Sequence, residues 1–263
     1  MTPEERYLFD LNGYLVIRQA LPEDLVKSLN EEIDFMETLT DEKATARGVI
    51  RQYNDMKEYY DVTRDSYGCN PLPMGGSFEK LIDCPSTLPY IDAMISEPVR
   101  LDAYSFFSRK QGKYSPLHHG YAELLAYSEF AIEDGQFNCV SVKVAYALTD
   151  VSEEEGSFVV IPGSHKSNFY NPYSGSVPDE NHPLIETCPC KTGDAVIFSE
   201  DLTHGALINQ SNKTRRTFFI SYAPAFQTPW GKLIDTAEGF EERATPRKLE
   251  LIKGPSPFAI AES

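Results

Sequence analysis

The chain has 263 residues, 41% of them hydrophobic and 24% charged, with a formal net charge of −16 at pH 7. That length suits one large β-barrel-type domain with enough buried core to fold without disulfides. The acidic balance repels phosphate backbones and anionic lipid surfaces, so neither nucleic acid nor a membrane is an expected partner.

No apolar run approaches the length of a bilayer span, and the amino terminus MTPEERYLFD is too charged to read as a secretion signal. Five cysteines, Cys69, Cys84, Cys139, Cys188 and Cys190, lack zinc-knuckle spacing and read as reduced thiols of a cytoplasmic protein.

Thr2 is placed to cap a helix that carries Pro3 at its first position and Glu4 and Glu5 in its first turn. Gly13 ends it, and Tyr14 to Ile17 reads as a strand. Leu21-Pro22 opens a second helix in which Leu25, Leu29, Ile33 and Met36 recur at spacings of three and four. Residues 40–77 show no clean period and read as a lid-like loop or as irregular cover. A further helix is predicted over Thr87 to Ser96.

From Val99 the texture changes to β-branched and aromatic runs: Leu101 to Phe107, Asn138 to Leu148, Ser157 to Ile161, Asp194 to Phe198 and Arg216 to Tyr222. In the second run Val140, Val142 and Val144 alternate with Ser141, Lys143 and Ala145, giving two faces. Turn chemistry separates the runs at Glu133-Asp134-Gly135, Glu155-Gly156, Pro162-Gly163 and Thr192-Gly193-Asp194. The pattern predicts one domain, mostly β with outer helices, built as a barrel or a sandwich. Residues 1–98 form the mainly helical layer, 99–225 the β core and 226–263 a tail. Tyrosines between Gln52 and Tyr67, with Tyr121, Tyr127 and Phe130, either line a pocket or belong to an aromatic core.

A histidine in a strand protein is more often a core or surface residue than a ligand, but of the five here His118 and His204 sit where strands end beside turns, positions that suit a barrel mouth. Eleven residues after His204 come Arg215 and Arg216, within an otherwise apolar strand. A guanidinium facing a core needs an anionic partner, and a dicarboxylate would provide one through paired hydrogen bonds. Thr217 shares the face of Arg215. Salt-bridged strand arginines are the alternative.

Three blocks carry a resemblance. FDLNGYLVIRQALPEDLVKSL, ALTDVSEEEGSFVVIPGSHKSNF and DAVIFSEDLTHGALINQSNKTRRTFFISYAP are similar to the amino-terminal, central and distal blocks of the phytanoyl-CoA dioxygenase-like branch of the iron(II)/2-oxoglutarate-dependent oxygenases. The resemblance implies a double-stranded β-helix, a cupin-like jelly-roll barrel. It implies His118 and His204 as metal ligands, Arg215 and Thr217 as the 2-oxoglutarate anchor, and Fe(II), 2-oxoglutarate and O2 as the reagents. His165 would be structural, His119 would face away from the metal or towards substrate, His182 lies in a polar loop, and Arg216 falls on the face opposite Arg215.

The chain departs from that family at one position. The metal-binding acid, two residues after the first histidine, is here Gly120. Three readings follow. Chloride fills the vacancy, as in the halogenases this His-x-Gly resembles, and Gly120 is then the residue that sets the reaction. Water or a remote carboxylate such as Glu123 fills it, leaving a hydroxylase of an aliphatic C–H. Or the site is inert and the chain is a binding protein.

Overall fold

A computed structural model describes residues 1–53, 66–120, 130–227 and 233–253. The amino-terminal helix α1 (Pro3–Asn12) opens with a full capping box, in which the Thr2 hydroxyl accepts from the Glu5 N–H and the Glu5 carboxylate accepts from the Thr2 N–H. It stops at Gly13, whose φ of 83° is left-handed. Strand β1 (Tyr14–Ile17) follows, then α2 (Glu23–Thr38), which buries Leu25, Leu29, Ile33 and Met36 on one face as the spacing predicts. The segment read as lid or cover holds α3 (Asp41–Thr45) and β2 (Tyr67–Cys69). Next come α4 (Leu88–Met94), β3 (Val99–Arg109) and β4 (Ser115–His118).

A hairpin of β5 (Phe130–Glu133) and β6 (Gln136–Cys139) turns through Asp134 and Gly135, both at positive φ. The remaining strands are β7 (Val142–Ala147), β8 (Phe158–Val160), β9 (Glu186–Cys188), β10 (Ala195–Ser199), β11 (His204–Ala206) and β12 (Arg215–Pro224). Two short helices, α5 (Phe240–Arg243) and α6 (Pro246–Ile252), bury Phe240 and Leu251 in the main core. No helix among the described residues is long and apolar enough to cross a membrane.

The expected run Asn138 to Leu148 is two strands. The chain breaks at Val140-Ser141, where the Ser141 carbonyl accepts the Glu200 N–H instead of a ladder bond. The apolar alternation continues across that break, so the sequence pattern hides it.

The strands form a six-stranded sheet in the order β1-β10-β7-β12-β3-β2 and a four-stranded sheet in the order β4-β11-β8-β9. These are separate ladders among the described residues, so the jelly-roll expectation holds as a core of sheets flanked by helices, without a closed barrel. One face of the large sheet carries the main core beneath α2, α4 and α6. Its other face packs on the small sheet: Phe158 meets Phe198 at 5.0 Å and Phe219 at 6.3 Å between ring centroids, with Ala145, Val160 and Val196 in the same cluster. The site described next lies between the two sheets.

Candidate functional site

His118 ends β4 and His204 begins β11, and these two strands pair antiparallel with the two histidines directly opposite. Residues opposed across a ladder project to the same face, so the rings meet, with centroids 4.2 Å apart. Gly205 makes the approach possible: a methyl group there would lie 2.8 Å from the Ser115 carbonyl oxygen. Each ring is fixed by its own strand. His118 Nδ1 lies 2.8 Å from the Pro116 carbonyl oxygen, and His204 Nδ1 lies 2.7 Å from that of Leu202. Such a contact makes Nδ1 the donor and leaves Nε2 with its lone pair.

Neither Nε2 has a hydrogen-bond partner among the described residues. Phe198 and Phe158 border the His204 ring at 4.7 and 5.7 Å. Loss of hydration lowers the pKa of His118, and lowers that of His204 well below the ordinary imidazole value, helped there by His118 and Lys143. Two neutral imidazoles with outward Nε2 atoms are a donor pair suited to a first-row divalent metal.

Among the described residues no third histidine, cysteine or carboxylate gathers with this pair as a metal cluster. Glu123 lies outside the described residues, as do Tyr121 and Tyr127. Gly120, where the acid would stand, donates its N–H to the Glu200 carbonyl at 2.8 Å. A methyl group built on Gly120 would sit 2.1 Å from Glu200 Cγ and 3.0 Å from its Oε1. Glu200 is 9% exposed, and its Oε1 accepts from Lys143 Nζ at 2.7 Å. Its Oε2 is buried without a partner among the described residues.

Sequence reasoning missed both Glu200 and Lys143. The available signal was Lys143 itself, a lysine between Val142 and Val144 whose inward ammonium requires an acid. Beside this pair a cleft of about 370 Å³ opens, walled also by Ser141, Ser221 and Asp102. Asp102 and Ala103 join it to a larger cleft of about 900 Å³ that runs past Gln52 and Asn70.

Arg215 lies 4% exposed at the start of β12, on the strand face that meets the small sheet. It borders a cleft of about 360 Å³ with Thr217, Phe219, Val151 and Val196, and donates from Nη1 to the Gly156 carbonyl. Arg216 points the other way and pairs with Asp34 at 2.7 Å and Glu37 at 2.6 Å on α2. The sheet therefore separates the two arginines as the period-two reading requires.

The other histidines fall elsewhere. His165 is buried: Nε2 lies 3.2 Å from the Asp10 carbonyl oxygen and the ring stands edge-on to Phe130 at 4.5 Å. His119 is half-buried, with Nε2 buried and unpartnered among the described residues. His182 is in a loop against Tyr173. The aromatic residues from the sequence reading that are described serve packing: Tyr53 meets Tyr67, Tyr67 meets Phe106, and Phe130 meets Phe9 and Phe137. All five cysteines are buried free thiols.

Residues 9–217 match the phytanoyl-CoA dioxygenase (PhyH) family, and the chain belongs to it. It is 25% identical over 248 residues to dioxygenase olcK of Penicillium canescens, covering 92% of this chain and 76% of that one. Dioxygenase cdmD of Talaromyces verruculosus is 33% identical over 106 residues, 40% of this chain and 33% of its own length. Among solved structures, HygX from Streptomyces hygroscopicus with nickel and 2-oxoglutarate bound superposes with a TM-score of 0.71 at 24% identity, over 88% of this chain and 90% of that one. At that identity the likeness is one of fold.

Proposed function

We propose that this chain is a non-haem iron(II)/2-oxoglutarate-dependent oxygenase acting on an aliphatic C–H of a small molecule. The observation that carries the reading is the facing pair His118 and His204, with both Nδ1 atoms tied to main-chain carbonyls and both Nε2 atoms left for a metal. Relatives named as dioxygenases and a nickel- and 2-oxoglutarate-bound structure of the same fold support it.

When bound, iron(II) with 2-oxoglutarate and O2 supplies the oxidising power for C–H cleavage. The residues of the chain do the rest. His118 and His204 hold the metal at the edge between the sheets. Arg215, with Thr217 beside it, binds the distal carboxylate of 2-oxoglutarate in the cleft towards β8 and β9. The phenylalanines around His204 limit water. The opposite cleft, past Lys143 and Ser221, receives the substrate, and its polar walls suit a molecule with several hydrogen-bonding groups.

Hydroxylation is the outcome this geometry supports better, because the Glu200 side chain stands in the space beside Gly120 that a halide would need. Halogenation, with chloride on the metal, is the second reading, favoured by the absence of a side-chain acid at position 120.

The test is anaerobic iron(II) binding followed by 2-oxoglutarate turnover. The wild-type protein should bind one equivalent of iron and convert 2-oxoglutarate to succinate. His118→Ala and His204→Ala should lose the iron, and His182→Ala should keep it. Iron binding that survives loss of His204 would overturn the ligand assignment, and a wild type without turnover of 2-oxoglutarate over a broad substrate panel would leave a binding protein instead.

A further inference from the structure

The glycine that replaces the family's acid does not leave an empty volume. Its neighbour across the site is Glu200, which comes from the turn between β10 and β11, four residues before His204. Three contacts fix that turn against the site: the Gly120 N–H on the Glu200 carbonyl, the Glu200 N–H on the Ser141 carbonyl at 3.1 Å, and Lys143 on Oε1. The Glu200 side chain therefore fills the space into which a side chain at position 120 would project, and any such side chain would collide with it.

Two features separate this glutamate from an ordinary buried ion pair. Its Oε2 is buried without a partner among the described residues, and a buried carboxylate oxygen without a donor is costly and usually marks an absent ion or ligand. Its ammonium partner, Lys143 on β7, holds only Oε1, so one carboxylate oxygen is paired while the other is left for a further positive group.

We propose that Glu200 supplies the carboxylate missing at position 120: it completes a two-histidine, one-carboxylate site, with Lys143 as the counter-ion that holds it in reserve. This rests on the iron-oxygenase reading above. In the metal-free chain Glu200 leans on Lys143 and stays out of a cluster with His118 and His204. A divalent cation on the two imidazoles adds positive charge beside it, and the carboxylate turns from the ammonium to the metal. Gly120 is small because the acid arrives from elsewhere. The negative charge that the site requires is then built into the chain, and chloride is not needed to provide it.

Metal affinity tests this without reference to turnover. Iron(II) and manganese(II) binding would be measured anaerobically by calorimetry on the full chain, with the iron/2-oxoglutarate charge-transfer band recorded at several chloride concentrations. Glu200→Gln should weaken binding by about tenfold or more. Lys143→Met, which releases the carboxylate, should bind at least as tightly as wild type. Gly120→Asp alone should bind poorly because it collides with Glu200, and Gly120→Asp combined with Glu200→Ala should recover affinity to within about threefold of wild type. The wild-type band should ignore chloride.

The proposal is overturned if Glu200→Gln binds like wild type while His204→Ala does not, if Lys143→Met loses as much as Glu200→Gln, or if chloride shifts the wild-type band. Loss of none of the affinity in His204→Ala would instead overturn the iron reading itself.

Discussion

Arg215 and Arg216 are consecutive, yet the large sheet stands between their side chains: one is buried between the two sheets, and the other closes a salt bridge to Asp34 and Glu37 on α2. On the proposed reading, identical chemistry one residue apart serves two purposes. Arg215→Ala should weaken 2-oxoglutarate binding by about 2–5 kcal/mol, the scale for removing one member of a buried charge pair. Arg216→Ala should leave that affinity alone and lower folding stability by about 0.5–1 kcal/mol, since its partners are partly solvated. Titration of 2-oxoglutarate and thermal unfolding of both variants check the pair. Equal losses of affinity would contradict the separation.

Gly156 offers a test at one remove. Its φ is +81°, and a methyl group there would lie 2.5 Å from the Leu207 carbonyl oxygen and 2.9 Å from the Asn209 nitrogen, both main-chain atoms with no room to yield. Gly156→Ala should therefore cost more than the roughly 1–2 kcal/mol of a left-handed alanine. Gly135→Ala has a φ of +74° with nothing within 4 Å, so it should show that backbone cost alone. Because the Gly156 carbonyl receives Arg215, only Gly156→Ala should also weaken 2-oxoglutarate. Chemical denaturation of the two variants, with co-substrate titration, separates the effects.

His165 predicts a pH dependence. Burial lowers its pKa from 6.5 to about 4. The unfolded chain then takes up a proton between those values while the folded chain does not, so stability falls as pH drops from about 6.5 towards 4 and levels off below. His165→Leu removes this contribution. Its thermal midpoint should change less between pH 7 and pH 4.5 than that of wild type. A wild-type profile no steeper than the variant's would show that the imidazole does not titrate in this window.

The amino-terminal capping box allows a smaller test. Thr2→Ala removes the acceptor of the Glu5 N–H and should cost about 0.5–2 kcal/mol. Phe9, buried against Phe137, ties α1 to the core, so the loss should register in global unfolding. An unchanged denaturation midpoint would show that α1 frays independently.

Much of this was legible from sequence because it is periodic or local. The heptad-like spacing of Leu25, Leu29, Ile33 and Met36 named the buried face of α2, the Thr2 and Glu5 pair named the start of α1, and alternation put Arg215 and Arg216 on opposite faces, with the family resemblance naming Arg215 as the inward one. What stayed hidden depends on contacts between distant segments. Lys143 and Glu200 are 57 residues apart and meet only after β7 and β10 have paired. The strand break at Val140-Ser141 is invisible to a period-two pattern, because Ser141 gives up its ladder position to a turn that arrives from residue 200. Glycine at position 120 reads as a vacancy in one dimension, and as occupied space once that turn is in place.

The two histidines take their orientation from carbonyl oxygens two residues back in their own chain segments, Pro116 and Leu202. A carbonyl cannot be protonated in the working range, cannot be exchanged by a point substitution and moves only with its strand. Tautomer choice therefore depends on no neighbouring side chain, and a substitution beside either imidazole leaves the bond that sets its aim in place. On the proposed reading, the acid, its counter-ion and the substrate walls can change without altering the bonds that aim His118 and His204 at a metal.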